Sequence, residues 1–318
     1  VYGLPEATFP ILFEHPKHTL LIATTKLSQF QTGRYAPIDA WQCIWQWILK
    51  WVTGSDLKQL IWSPVVRPSY SQEEPLAPDV EHQAIKRGVQ WFRKARLYVH
   101  PLWQDEARRR VSEFPDGTGA GPEEDWLVGD GRCGMIEGAS SGIHPDGGQD
   151  WRYFLRNDCM GESAMAMAFG EEMGGDSNGK TIAWNLNDFI YFDSDFAGGP
   201  RGNPDSPSYG LVRWHNADGD GTYYGDDNAR SMLGTMATSA LLSTGRWDEP
   251  LLRCLLANLR TTGPQGFRSN RLGEAVLQEK GWRHFWTTER TNYAPHYECW
   301  LWACFLWAYA HTSFSPFL

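Results

Sequence analysis

The sequence predicts a mainly α protein: an (α/α) toroid, preceded by a small α/β segment and carrying a β-hairpin lid. Three observations predict it. From residue 156 onward, helix-length stretches that are apolar nearly all round alternate with stretches that carry a single apolar stripe. Long Gly- and Asp-rich loops lead into the apolar stretches, whereas shorter loops lead out of them. Each apolar stretch also opens on acidic and aromatic residues. Buried inner helices alternating with half-buried outer ones, with the elaborate loops at one end, are the pattern of such a toroid.

The elements follow in order. Residues 1–54 read as the closing part of an α/β domain. The run TLLIATT at 19–25 suits a buried strand, and a turn follows at 33–37. Asp39 is placed to cap a helix on which Trp41, Ile44, Trp45, Ile48 and Trp51 recur at helical spacing, and Gly54 ends it. Residues 55–78, with Pro64, Pro68, Pro75 and Pro78, read as a linker. The toroidal domain spans 79–318. Asp79 is the expected cap of its first helix, whose apolar side holds Val80, Ala84, Val89, Trp91, Phe92 and Ala95. Strands at 134–138 and 151–155, around the turn PDGG at 145–148, sit inside a long loop and read as a lid. Helices are expected at 161–172, 179–191, 226–242, 247–260 and 295–310, the first, third and fifth being inner.

Composition narrows the function. A chain with 17 Trp, 15 Phe and 12 Tyr has aromatic side chains to spare, for stacking on sugar rings or for thick helix packing. A net charge of −9 without a basic run argues against nucleic acid as a partner. No uninterrupted apolar stretch is long enough for a membrane span. The six cysteines form no CxxC pair, so neither a zinc site nor a disulfide framework is expected, and four read as small buried hydrophobes. No metal or cofactor is expected. The start lacks an initiator Met and a signal-peptide pattern, so the native N-terminus is expected to lie upstream. Compartment, cytoplasm or periplasm, stays open, and so does homo-oligomerisation.

The chemistry is carried by the runs RNDCMGE at 156–162, YYGDDNAR at 223–230 and YAPHYE at 293–298, each opening an inner helix. If the inner helices are parallel, Glu162, Asp226, Asp227 and Glu298 converge on one mouth and supply the two carboxyl groups that glycosidic cleavage needs. Acids in a first helical turn are also ordinary caps and partners of the helix dipole. The adjacent pair Asp226–Asp227 favours retention of a proton by mutual repulsion, with one member expected to cap and the other, Asp226, to act in catalysis. Glu137 on the lid hairpin is a further candidate, or a solvated edge carboxylate. Arg156, Arg230 and Arg290, with Arg152, present forks suited to a uronate, or to salt bridges with the neighbouring acids. Trp214 and Tyr224, with Tyr223 and Trp286, are candidate stacking surfaces, and His296 a substrate-binding group. The run DGDG at 218–221 lacks the later ligands of a calcium loop and reads as a turn.

Residues 134–162, 223–268 and 292–307 (NYAPHYECWLWACFLW) resemble bacterial glycoside hydrolases with a six-hairpin toroid, nearest to glycoside hydrolase family 154, associated with β-glucuronidase activity. The first 54 residues, with TTKLSQFQTGRYAPIDAWQCIWQWIL, resemble the end of a glutamine-amidotransferase-like domain. The resemblance implies hydrolysis of uronic-acid-containing oligo- or polysaccharides, without identifying the catalytic pair. Six hairpins need more helices than this sequence supplies, so the toroid is expected to be incomplete, its last hairpins lying beyond Leu318. Two alternatives stand beside the hydrolase. One is a polysaccharide lyase using Tyr224 and His296 beside an arginine; the other is a non-catalytic carbohydrate-binding or scaffold module.

Overall fold

The computed structural model describes residues 10–24, 27, 38–56, 58, 60–61, 73–113, 118–140, 142–144, 146–175, 177–217, 219 and 221–318. Thr25, the turn at 33–37, Pro64, Pro68, Pro145, Asp218 and Asp220 lie outside the described residues. The protein is mainly α, and the chain divides into two compact units. One is Val1–Pro75 with Ser141–Gln149; the other is Leu76–Ser140 with Asp150–Leu318.

In the first unit, β1 (Leu12–Glu14) and β2 (Leu21–Ala23) form an antiparallel hairpin with Leu12 opposite Ala23. The expected buried strand is therefore short, and Leu20 before it is half exposed. A hairpin with an open face covers less of its side chains than a central strand does. Helix α1 (Ile38–Thr53) half-buries Trp41, Ile44, Trp45, Ile48 and Trp51 along one stripe, as their spacing requires. Trp45 Nε1 donates to the Leu27 carbonyl at 3.1 Å, and Gly54 follows the helix at a φ of +66°.

The second unit opens with α2 (Val80–Lys94). Asp79 occupies its cap position, but its carboxylate accepts from Gln83 Nε2 at 2.9 Å rather than from a backbone amide. A short 3₁₀ turn, Pro101–Trp103, leads into α3 (Gln104–Glu113), which the sequence reading missed. The helix is nearly all polar and laced by arginine–glutamate pairs, so it has no apolar stripe to betray it. Strands β3 (Thr118–Gly119), β4 (Ile136–Ala139) and β5 (Trp151–Leu155) form an antiparallel sheet in the order β3-β5-β4. Ile136 and Tyr153 are fully buried in it. The expected hairpin is therefore present, and its inward-facing alternate side chains belong to the core.

The helical body follows: α4 (Asn157–Glu172), α5 (Gly179–Asp188, continued by a π turn Phe189–Asp193), α6 (Gly225–Leu242) and α7 (Asp248–Arg260). The short helices α8 (Glu274–Lys280) and α9 (Trp282–Thr287) precede α10 (Pro295–Thr312). Strands β6 (Thr222–Tyr224) and β7 (Arg271–Gly273) pair just before α6 and α8. Helices α4, α6 and α10 lie side by side, with α5 against α4 and α7 against α6 and α10.

Helices α4 and α6 run parallel, because Asn157 meets Ser231 and Glu162 meets Arg230 near their N-terminal ends. Glycine makes the approach possible. A Cβ on Gly161 would lie 2.6 Å from Ser231 Cα, and one on Gly234 would lie 2.2 Å from the Gly161 carbonyl oxygen. Met160, Ala164, Met167, Ala229, Met232 and Leu301 are buried in the core that these helices share with α10. Helix α10 buries Leu301, Cys304, Phe305 and Ala308, while Trp300, Leu306 and Trp307 stay partly exposed, so it is not buried all round as expected. Of the six free cysteines only Cys254 and Cys304 are buried; Cys43 and Cys299 are exposed despite their apolar helices. Among the described residues no helix is long and apolar enough to cross a membrane.

Candidate functional site

The parallel seam of α4 and α6 brings the starts of both helices together. Strand β6 runs straight into α6, so Tyr224 holds the cap position, Gly225 is the first helical residue, and no side chain caps the helix. Neither Asp226 nor Asp227 is the cap that the sequence suggested. Both lie inside the first turn, where the helix dipole favours a negative charge. The start of α4 is fixed from the other side: the Asn157 amide donates to the Trp214 carbonyl at 3.2 Å, and Arg156 bridges His215.

Between these helix starts lies a network of acids and arginines. Arg156 Nη2 donates to Asp158 Oδ2 at 2.9 Å and to Asp227 Oδ1 at 2.8 Å. Arg230 Nη1 lies 2.9 Å from the same Asp158 oxygen. The Arg230 fork also grips Glu162 through Nε at 2.7 Å and Nη2 at 2.5 Å. Glu137 Oε1 accepts from Arg152 Nη1 at 2.8 Å and from Arg156 Nη1 at 3.3 Å, so it is a paired carboxylate and not a solvated edge. Asp158 and Asp227 are 1% and 3% exposed, and Arg156 Nη2 binds both carboxyl groups, which holds them side by side.

Two buried carboxyl groups side by side favour keeping a proton between them. Burial, reinforced by the Asp227 charge, pushes Asp158 up to about 6 against the pull of Arg156 and Arg230. Burial raises Asp227 as well, opposed chiefly by Arg156. The proton therefore belongs to the pair. Arg156 is raised in spite of burial, by Asp158 and Asp227. Arg230 is raised chiefly by its hydrogen bonds to Glu162.

An aromatic wall borders the network. The Arg156 guanidinium lies 5.6 Å from the Trp214 ring centroid. Trp214 meets Tyr224 edge-on at 5.0 Å, Tyr224 stacks on Tyr297 at 6.0 Å, and Tyr297 contacts His296 at 4.0 Å. Burial raises Tyr297, and so do the nearby charges, Asp226 foremost.

The structure thus gathers Glu137, Arg156, Glu162, Asp227 and Arg230 around Asp158, with Asp226 adjoining through Asp227 and Trp214, Tyr224 and His296 along one side. Four expected members are elsewhere. Glu298 is fully buried and accepts from the Arg268 amide at 3.1 Å, the Ser269 amide at 3.2 Å and Asn292 Nδ2 at 2.8 Å. It clamps a loop instead of facing Glu162 and Asp226 in a shared cavity, because free backbone amides lie within its reach. Arg290 donates to the Arg268 carbonyl at 3.0 Å and covers the Phe285 ring, so it too is a loop clamp. Trp286 lines a separate apolar cavity of about 630 Å³ with Leu259, Trp302 and Phe317. Tyr223 is fully buried and hydrogen-bonded to Glu274.

Asp158 and Tyr297 were the functional candidates missed. Asp158 lies four residues before Glu162, hence on the same helical face, and that spacing was the available signal. Among the described residues no group of His, Cys, Asp and Glu is disposed to hold a metal ion. Comparison with protein-family models, curated proteins and solved structures returns no match.

Proposed function

We propose that this site is the acid–base centre of a glycoside hydrolase acting on uronic-acid-containing oligo- or polysaccharides, carried on an (α/α) toroid scaffold. The observation that supports it most is the proton-sharing Asp158–Asp227 pair beside the Trp214–Tyr224–Tyr297 wall. A carboxyl group that keeps its proton to about pH 6 is suited to protonating a leaving glycosidic oxygen. The two carboxyls of the pair are too close to flank a glycosidic bond, which takes about 5 Å or more between carboxyl groups. They act as one proton-carrying unit, and Asp226, beside Asp227 in the first turn of α6, serves as the second carboxylate. Arg152, Arg156 and Arg230 supply the forks for a substrate carboxylate, and the aromatic wall supplies the ring surface.

A panel of acidic and neutral glycans, followed by reducing-end and ultraviolet assays, tests this. Hydrolysis releases reducing sugar alone. An unsaturated uronate absorbing in the ultraviolet would make the protein a lyase, and binding without either product would make it a non-catalytic module.

A further inference from the structure

Arg268 takes no part in the network above, yet among the described residues it is the one arginine that is wholly buried. Its Nε donates to Thr261 Oγ1 at 3.2 Å, while Nη1 and Nη2 have no hydrogen-bond partner among the described residues. Burial of a charged fork without acceptors is costly and calls for an explanation. The head of the side chain lies against the first residue of α6: a Cβ on Gly225 would sit 3.4 Å from Nη1. The next residue is Asp226, whose Oδ1 is likewise buried and without a partner among the described residues.

The titratable groups facing Arg268 come from every neighbouring element: Glu298 on α10, Cys254 on α7, Asp226 on α6 and Tyr223 on β6. The Glu298 carboxylate is already occupied by two backbone amides and Asn292, and Tyr223 by Glu274 and Arg201. Asp226 is the acid with an oxygen to spare.

We infer that Arg268 is a positioning residue for Asp226: its buried fork holds the Asp226 carboxylate through one bridging water, opposite the proton-sharing pair. The inference rests on the reading of Asp226 as the second carboxylate. Its consequence is electrostatic. The Asp158–Asp227 pair is faced by Arg156 and Cys159 on the start of α4, by Arg230 and Asp226 on α6, by Tyr297 on α10, and by Glu137 on β4. The Asp226 charge favours retention of the shared proton, and Arg268 offsets that charge from behind.

The test needs no substrate. The protonated-carboxyl stretch of the full chain is followed by infrared spectroscopy against pH in the wild type, Arg268→Met and Arg268→Lys. Arg268→Met is expected to raise the pH midpoint of the pair by about one unit, a tenfold change in proton affinity, and Arg268→Lys to restore most of it. The shift should vanish in an Asp226→Asn background. An unchanged midpoint in folded Arg268→Met, or the same shift without the Asp226 charge, overturns the proposal. Should Arg268→Met fail to fold, the ¹⁵N resonances of Arg268 Nη1 and Nη2 are compared between wild type and Asp226→Asn. Movement supports the contact, and coincident resonances overturn it. These readouts stand or fall independently of hydrolysis, whose absence would count against the glycosidase reading alone.

Discussion

Replacing Asp158 by Asn removes the acid at the centre of the network while keeping its shape, and the structure fixes the sign of the effect. The folded value of about 6 lies above the ordinary aspartate value of 3.8, so the folded state binds the proton more tightly than the unfolded chain. The stabilisation from Asp158 is therefore full below pH 3.8 and is lost as pH rises through about 6. At 1.36 kcal/mol per unit, the interval corresponds to about 3 kcal/mol. The group is 1% exposed, so solvent screening removes little of it. Asn imitates the protonated acid. At pH 4 the variant and wild type should be nearly equal in stability, and at pH 8 the variant should be more stable by up to about 3 kcal/mol. Arg156 retains Asp227 and Glu137, and Arg230 retains Glu162, so no guanidinium is stranded by the change. Urea unfolding of the second unit, followed by far-ultraviolet circular dichroism at several pH values, reads this out. Parallel pH profiles for the two proteins would refute the shared-proton reasoning. On the proposed function, the same variant loses about 10²- to 10⁴-fold in turnover.

Arg230→Met should weaken acidic substrates over neutral analogues by about 2–5 kcal/mol in kcat/KM, because the Glu162 it leaves behind is partly solvated and folding survives; equal losses on both substrates would make Arg230 structural. Gly234→Ala places a methyl group 2.2 Å from the Gly161 carbonyl oxygen and should cost about 1–3 kcal/mol in unfolding free energy by forcing α4 from α6. It should also weaken turnover, since the same seam aligns Arg230 with Glu162 and Arg156 with Asp227. Glu298→Gln weakens a carboxylate clamp on two backbone amides and should cost about 1–3 kcal/mol of stability while sparing the pH profile of turnover. A shifted profile would return Glu298 to the site.

The sequence by itself determined the helical body. The stripes of α1, α2 and α7 and the nearly all-apolar α4, α6 and α10 follow from residue spacing, because burial of one face leaves a period in the chain. It also placed acids, arginines and aromatics at the helix starts that do meet. Which acid matters was decided only by tertiary structure. Asp158, Asp227 and Glu298 occupy similar positions in similar helix starts, and each could be a cap, a clamp or an acid. Two glycines let α4 and α6 touch, and that contact puts Asp158 against Asp227 with Arg156 and Arg230 around them. Glu298, at the start of α10, meets loop amides instead and becomes a clamp. Pairing, burial and the proton that follows from them depend on neighbours far apart along the chain, and periodicity carries no record of those distances.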